Sequence, residues 1–154
     1  RHPGPLHYLL GTERGDSMAN AILKGSCICG AVTYEITGEP RAFYHCHCGR
    51  CRKSSGTGHA SNVLLKPETA SWTSGEELLK SFAVPEAQRF RTLFCGTCGS
   101  PMPRIAQDLS IAVIPAGSLD TEPPLAPTDR IMWDSRTDWS CETGDLPAWP
   151  EYPE

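Results

Sequence analysis

Eight cysteines in a chain of 154 residues fall into a pattern that few folds accommodate: Cys27-Ile-Cys29, Cys46-His-Cys48-Gly-Arg-Cys51, Cys95-Gly-Thr-Cys98, and Cys141 alone. Three chemistries compete for them. A disulfide framework needs an oxidising compartment, and no charged-then-apolar-then-small secretory pattern is visible. Cysteines two apart also bridge one another poorly, so pairs this close suit metal ligation better. A redox dithiol belongs at a strand-to-helix junction, whereas Cys95 to Cys98 sits between strand-like segments and is followed by Gly99. Metal binding is the chemistry the spacing favours.

On a strand, side chains alternate, so Cys27 and Cys29 are expected on one face, gripping one ion. Cys95-Gly-Thr-Cys98 reads as a knuckle, with Gly96 and Gly99 permitting the tight turn that converges both sulfurs. Together the two pairs make a closed tetrahedral site of the kind structural zinc occupies. Such a site is expected to contribute on the order of 10 kcal/mol to folding. The middle cluster supplies only three thiolates, Cys46, Cys48 and Cys51. Three protein ligands with a free position mark a zinc that does chemistry. The competing reading closes this site with a histidine, from His45, His47 or His59. His47 lies between two ligands and on a strand points away from them. Cys141, in the Pro-rich tail, is a further candidate closer but reads first as a buried small apolar residue.

The surrounding sequence suits a thin, cross-linked β domain. Apolar residues make up 39%, and glycines and prolines number 14 each, a composition of short strands and turns. Strands are expected over Ala31–Ile36, Ala42–His45, His59–Leu65, Ala70–Trp72, Leu78–Ala83, Arg89–Phe94 and Leu109–Ile114. Turns are expected at Gly38-Glu-Pro40 and Ser74-Gly75, a helical turn at Arg50–Ser54, and a weaker one at Glu76–Leu79. From Pro115 onward, repeated prolines predict an irregular C-terminal wrap. The domain is expected over residues 18–154, starting at Met18, with residues 1–17 an extension outside the fold. The net charge of −4 disfavours nucleic-acid and anionic-membrane partners, and no apolar run is long enough to span a bilayer. An exposed strand edge in so small a fold allows a homodimer. Reduced cysteines without a secretory signal point to the cytoplasm.

Taken together, Gly25-Ser-Cys27-Ile-Cys29-Gly-Ala31, His45-Cys-His-Cys48 with Cys51-Arg52-Lys53, and Phe94-Cys95 through Cys98-Gly99-Ser100 resemble the glutathione-dependent formaldehyde-activating enzyme family. Gly56 and Ser74-Gly75 also sit where that family places them. The resemblance runs from about Leu23 to Trp149 and implies a single-domain β-tent of short antiparallel strands. It implies two zinc ions per chain, one structural on Cys27, Cys29, Cys95 and Cys98, and one catalytic on Cys46, Cys48 and Cys51. It also implies carbon–sulfur lyase chemistry, the joining of glutathione to formaldehyde as S-(hydroxymethyl)glutathione. Fold and metal sites carry over through such a likeness better than substrate does.

The residues are compatible with that chemistry. A zinc on three thiolates is electron-rich and better suited to binding a substrate thiol than to activating water. Arg50, Arg52 and Lys53 form the densest basic patch beside it and are candidates for binding the carboxylates of glutathione. The alternative for these three is a solvated turn face. Ser54, Ser55 and Thr57 read first as capping residues, and Trp133 and Trp139 as cover for a core or walls of a pocket. The rival to an enzyme is a zinc-stabilised binding module with both metals structural.

Overall fold

The computed structural model describes residues 20–141, 144 and 146–152; the expected extension at 1–17 and the start at Met18 lie outside them. The described elements run β1 (Ala21–Ser26), β2 (Thr33–Cys46), α1 (Gly49–Ser55), β3 (Ala60–Ser74), β4 (Leu79–Ala83), β5 (Arg91–Cys95), β6 (Arg104–Ile105), β7 (Ala112–Pro115), β8 (Asp129–Ile131) and α2 (Asp138–Cys141). The protein is mainly β, as expected.

Two long strands make the spine. β2 and β3 pair antiparallel from Thr33 opposite Ser74 to Cys46 opposite Ala60. β1 pairs with the first half of β2, β7 with β3, and β6 with β7. β8 lies parallel to the last residues of β2, with Cys46 opposite Ile131, so the C-terminal wrap is anchored by a short parallel pairing. β4 and β5 form a separate antiparallel hairpin.

The expected breaks at Gly38-Glu-Pro40 and Lys66-Pro67 are absent. Both segments continue through their prolines, because the register shifts at Thr37/Gly38 and again at Pro40/Ala42, the kind of irregularity that accommodates a proline within a sheet. Gly38 answers to a close cross-strand approach rather than to a turn: a Cβ there would lie 2.2 Å from the Lys66 carbonyl oxygen. Ala70–Trp72 is therefore the far end of β3 and not a strand of its own. The β3 to β4 turn falls where expected, with Gly75 at φ 70°, and Glu76–Leu78 is a single 3-10 turn. β7 is shorter than the expected Leu109–Ile114, since Leu109 adopts φ 53° in a turn closed by its own N–H to Ala106.

Alternate residues of the spine point inward. Tyr34, Ile36, Val63 and Leu65 pack with Leu23, Val32, Met102, Ala112 and Ile114 into one buried cluster that also contains Cys27 and Cys95. Burying each large apolar side chain stabilises by about 1.5–3 kcal/mol. Tyr34 threads its hydroxyl to Ser118 Oγ at 2.7 Å, which donates to the Pro115 carbonyl at 2.7 Å. Gly25 of β1 rests against that arrangement; an added Cβ would sit 2.3 Å from both the Tyr34 ring and the Ser118 carbonyl oxygen. Gly25→Ala is therefore expected to destabilise the fold by about 1–3 kcal/mol, read as a lower urea midpoint with unchanged slope. Wild-type stability would show that the Tyr34 ring moves aside at no cost.

Candidate metal centres and an adjoining cavity

The first cluster is built from two turns. β1 ends at Ser26, and Cys27 opens a reversal closed by the Gly30 N–H to the Cys27 carbonyl at 2.8 Å, with Gly30 at φ 74°. Cys27 and Cys29 thus converge through a turn and not through strand alternation, because the chain must reverse here to enter β2. The second turn matches it. β5 ends at Cys95, and the Gly99 N–H bonds to the Cys95 carbonyl at 2.8 Å, with Gly99 at φ 78°. Gly96 passes close to the backbone before β4, donating to the Leu78 carbonyl at 2.8 Å. Ser100 joins the turns: its Oγ accepts from the Ile28 N–H at 3.0 Å and lies 3.3 Å from Cys98 Sγ.

The four sulfurs of Cys27, Cys29, Cys95 and Cys98 all lie within 4.8 Å of one another. Cys27 and Cys29 are 3.4 Å apart and Cys29 and Cys95 3.9 Å apart. Zinc–sulfur bonds of 2.3 Å in a tetrahedron put the sulfurs about 3.8 Å apart, so the arrangement fits a metal ion. All eight cysteines are free thiols. Their acidities point the same way. Burial opposes ionisation of Cys27, but the Val32 N–H and neighbouring thiols more than offset it and lower its pKa. The Ser100 hydroxyl and N–H bring Cys98 down to about 5. At Cys29 the Ala31 N–H favours the thiolate, yet Cys27 and Cys98 oppose it and push the pKa up to about 12. The opposed shifts are those of thiols close enough to compete for negative charge, which a bound cation would relieve.

The second cluster forms where β2 passes into α1. Cys46 ends β2, Cys48 is the N-cap of α1, and Cys51 lies in its first turn, donating its backbone N–H to Cys48 Sγ at 3.4 Å. Their sulfurs also lie within 4.8 Å of one another. Burial raises the Cys48 pKa, but N–H donors and the adjacent thiols lower it overall. Burial and then Cys46 and Cys48 raise that of Cys51. Among the described residues, no histidine nitrogen belongs to either cluster. His45 stacks on His59 with ring centroids 4.1 Å apart. His47 is buried, with Nδ1 3.9 Å from Cys141 Sγ and Nε2 without a hydrogen-bond partner.

A cavity of about 830 Å³ adjoins both clusters, touching Cys27 of the first and Cys51 of the second. Its volume falls in the range of small-molecule sites. His59 lines it, as do Ser54, Ser55 and Thr57. Those hydroxyls are occupied locally: Ser54 and Ser55 donate to the Cys51 carbonyl at 3.1 and 2.8 Å, and Thr57 donates to that of His59. Trp133 instead packs edge-on over His47, 5.0 Å between centroids, and Trp139 is largely exposed; neither lines the cavity.

The basic residues separate. Arg52 donates to the carbonyls of His47 and Ser135, tying α1 to the wrap. Lys53 is exposed, and Arg50 lies over the Phe90 ring at 6.0 Å. None of the three lines the cavity, whereas Arg91 and Arg104 do. Burial lowers the Arg104 pKa, and the negative charge of Cys51 acts in the opposite sense. Sequence reading missed Arg104, which belongs to no motif or periodic run, and took Phe90 only as part of a strand; their nearness to the Cys95–Cys98 knuckle was the one hint of a place near the cysteine clusters.

Comparisons with known proteins agree with this geometry. A Rhodobacter sphaeroides protein of known crystal structure superposes with a TM-score of 0.52 at 21% identity, over 70% of this chain and 98% of its own, a likeness of fold. A Halomonas elongata protein, provisionally named a glutathione-dependent formaldehyde-activating enzyme, is 29% identical over 127 residues, covering 77% of this chain and 79% of the relative. The family model of the glutathione-dependent formaldehyde-activating enzyme matches residues 22–135, a span that holds the sheet, both cysteine clusters and the cavity lining, and the chain belongs to that family.

Proposed function

We propose that the protein is a zinc-dependent enzyme of the carbon–sulfur lyase class. It would join a thiol, glutathione or a similar one, to formaldehyde or another small aldehyde, giving a product of the S-(hydroxymethyl)glutathione kind. Cys46, Cys48 and Cys51 would hold the catalytic zinc, and Cys27, Cys29, Cys95 and Cys98 the structural one. The observation that carries this reading is the incomplete second cluster: three sulfurs, no fourth protein donor among the described residues, and Cys51 bordering a cavity of substrate size. A zinc ion on three thiolates, when bound, favours a substrate thiol as thiolate over the neutral thiol.

The chain's own residues supply placement. The cavity reaches the cluster on the Cys51 side, so the thiol sulfur and the aldehyde would meet beside that residue. Leu93, Phe94, Met102 and Pro115 line the cavity with apolar surface, which limits the water competing for the aldehyde carbon. In the addition the thiol gives up its proton and a sulfur lone pair forms the C–S bond. The carbonyl π pair moves to oxygen, which takes up one proton, so no redox change occurs. Arg50, Arg52 and Lys53 surround α1 as cationic charge, and Arg50 is the one placed on an aromatic ring of the cavity wall. Eight free thiols suit a reducing, cytoplasmic setting; among the described residues no helix is long and apolar enough to cross a membrane.

Metal content and X-ray absorption of the purified protein test this. Two zinc ions per chain are expected, with one light-atom ligand at the second ion exchanged for a fourth sulfur when glutathione is added. A second site closed by histidine, or unmoved by any thiol, would leave a zinc-stabilised module without chemistry. Two variants separate the sites. Cys51→Ser should remain folded, retain the first zinc and lose the thiol response. Cys95→Ser should lose the first zinc and more than about 4 kcal/mol of stability, measured by chemical denaturation. Equal destabilisation by both would refute the division of labour.

A further inference from the structure

Arg104 is the one cavity-lining cation held on several sides. Its backbone is fixed by pairing with Val113. Its Nη1 donates to the Arg91 carbonyl at 3.1 Å, and its guanidinium lies over the Phe90 ring, 5.8 Å from the centroid. The side chain is half-buried and lines the cavity that Cys51 borders. Among the described residues it has no carboxylate partner, the two ion pairs there being Lys24–Glu35 and Arg41–Glu39. The single carboxylate on the cavity wall, Asp120, accepts from Ser26 Oγ at 3.0 Å instead. A partly desolvated guanidinium without a carboxylate partner gains when a ligand supplies one. One of its five N–H groups is occupied by Arg91, which leaves donors free for a planar, two-oxygen acceptor.

We propose that Arg104 is a specificity-determining residue that receives a carboxylate of the thiol substrate, so that the cavity selects carboxylate-bearing thiols over neutral or cationic ones. Phe90 is the positioning residue, holding the guanidinium plane. The inference rests on the reading of the cavity as a thiol site. Its rival is that Arg104 merely offsets the charge of three thiolates, in which case the loss would fall on every thiol alike.

The test uses the metal-loaded protein and two probes that separate the groups. S-methylglutathione has both carboxylates and no free thiol, while cysteamine has a thiol and no carboxylate. Calorimetry is expected to show S-methylglutathione binding at millimolar concentration, about tenfold weaker or worse in Arg104→Gln. Binding to Arg104→Lys should be intermediate, because an ammonium keeps the charge without the fork. The cobalt-substituted protein should show the same change in its thiolate-to-metal absorption with cysteamine in wild type and Arg104→Gln. If the Gln variant fails to fold, Arg104→Lys carries the comparison. No binding of S-methylglutathione to the wild type, wild-type binding by the variants, or equal losses for glutathione and cysteamine would each overturn the proposal. If neither thiol alters the cobalt spectrum of the wild type, the thiol-at-metal reading fails separately, and S-methylglutathione alone then decides the role of Arg104.

Discussion

Four cysteine sulfurs from two turns far apart in sequence meet at the margin of the core, close enough to share one cation. Cys29 and Cys95, 66 residues apart, bring their sulfurs to 3.9 Å. Cys27 and Cys95 are buried in the same cluster as Tyr34, Ile36 and Leu65. The turn after β1 and the turn after β5 belong to different sheets, and they share this site and the core cluster against which Leu79 and Leu93 of the hairpin pack. Between the turns themselves, Ser100 Oγ accepts from the Ile28 N–H at 3.0 Å. A cation at this point would therefore join the β4–β5 hairpin to the main sheet. That hairpin carries Phe90, Thr92 and Leu93 to the cavity wall, so the first cluster sets the shape of the space beside the second.

The spine does the complementary work at the other end. β2 runs from the first cluster, just after Val32, to Cys46 of the second. Its register with β3 places Ala60, Ser61 and Asn62 opposite Cys46, His45 and Tyr44. Those three residues of β3 also line the cavity. The pairing that ends β2 thus fixes both the first cysteine of the cluster and one wall of the space next to it. β8 completes that end, with the His47 N–H bonded to the Ile131 carbonyl at 3.0 Å, while Arg52 ties α1 to Ser135. The Pro-rich tail, irregular over most of its length, holds the second cluster from behind through these few bonds.

The cysteine groupings were legible because metal ligation imposes short-range spacing that survives whatever the rest of the chain does. The reason given for Cys27 and Cys29 was less sound than the grouping, since alternation and a tight turn both place sulfurs two residues apart on one side. Strand continuity was illegible for a physical reason: proline and glycine punctuate most sequences, yet here register shifts at Gly38 and Pro40 absorb them. Only the three-dimensional neighbour, Lys66 against Gly38, tells a turn glycine from a close-approach glycine. β6 and β8, two and three residues long, carry too little pattern to be read.

Basic charge shows the same limit. Density along the chain singled out Arg50, Arg52 and Lys53, which share one short helix and so point in different directions around it. Consecutive positions on a helix step by about 100°, so neighbours in sequence cannot all face one site. Arg52 is spent on backbone carbonyls and Lys53 faces solvent. Arg104, alone in its stretch, reaches the cavity because β6 pairs with β7 and β7 with β3, a route through three strands that no local pattern announces. A centre of three thiolates carries net negative charge even with a divalent ion, and would by itself repel an anionic thiol. Guanidiniums on the cavity wall, Arg91 and Arg104, would oppose that field over the few ångströms next to them. The cations nearest the cysteines in sequence are thus not the ones that the fold carries to the cavity wall.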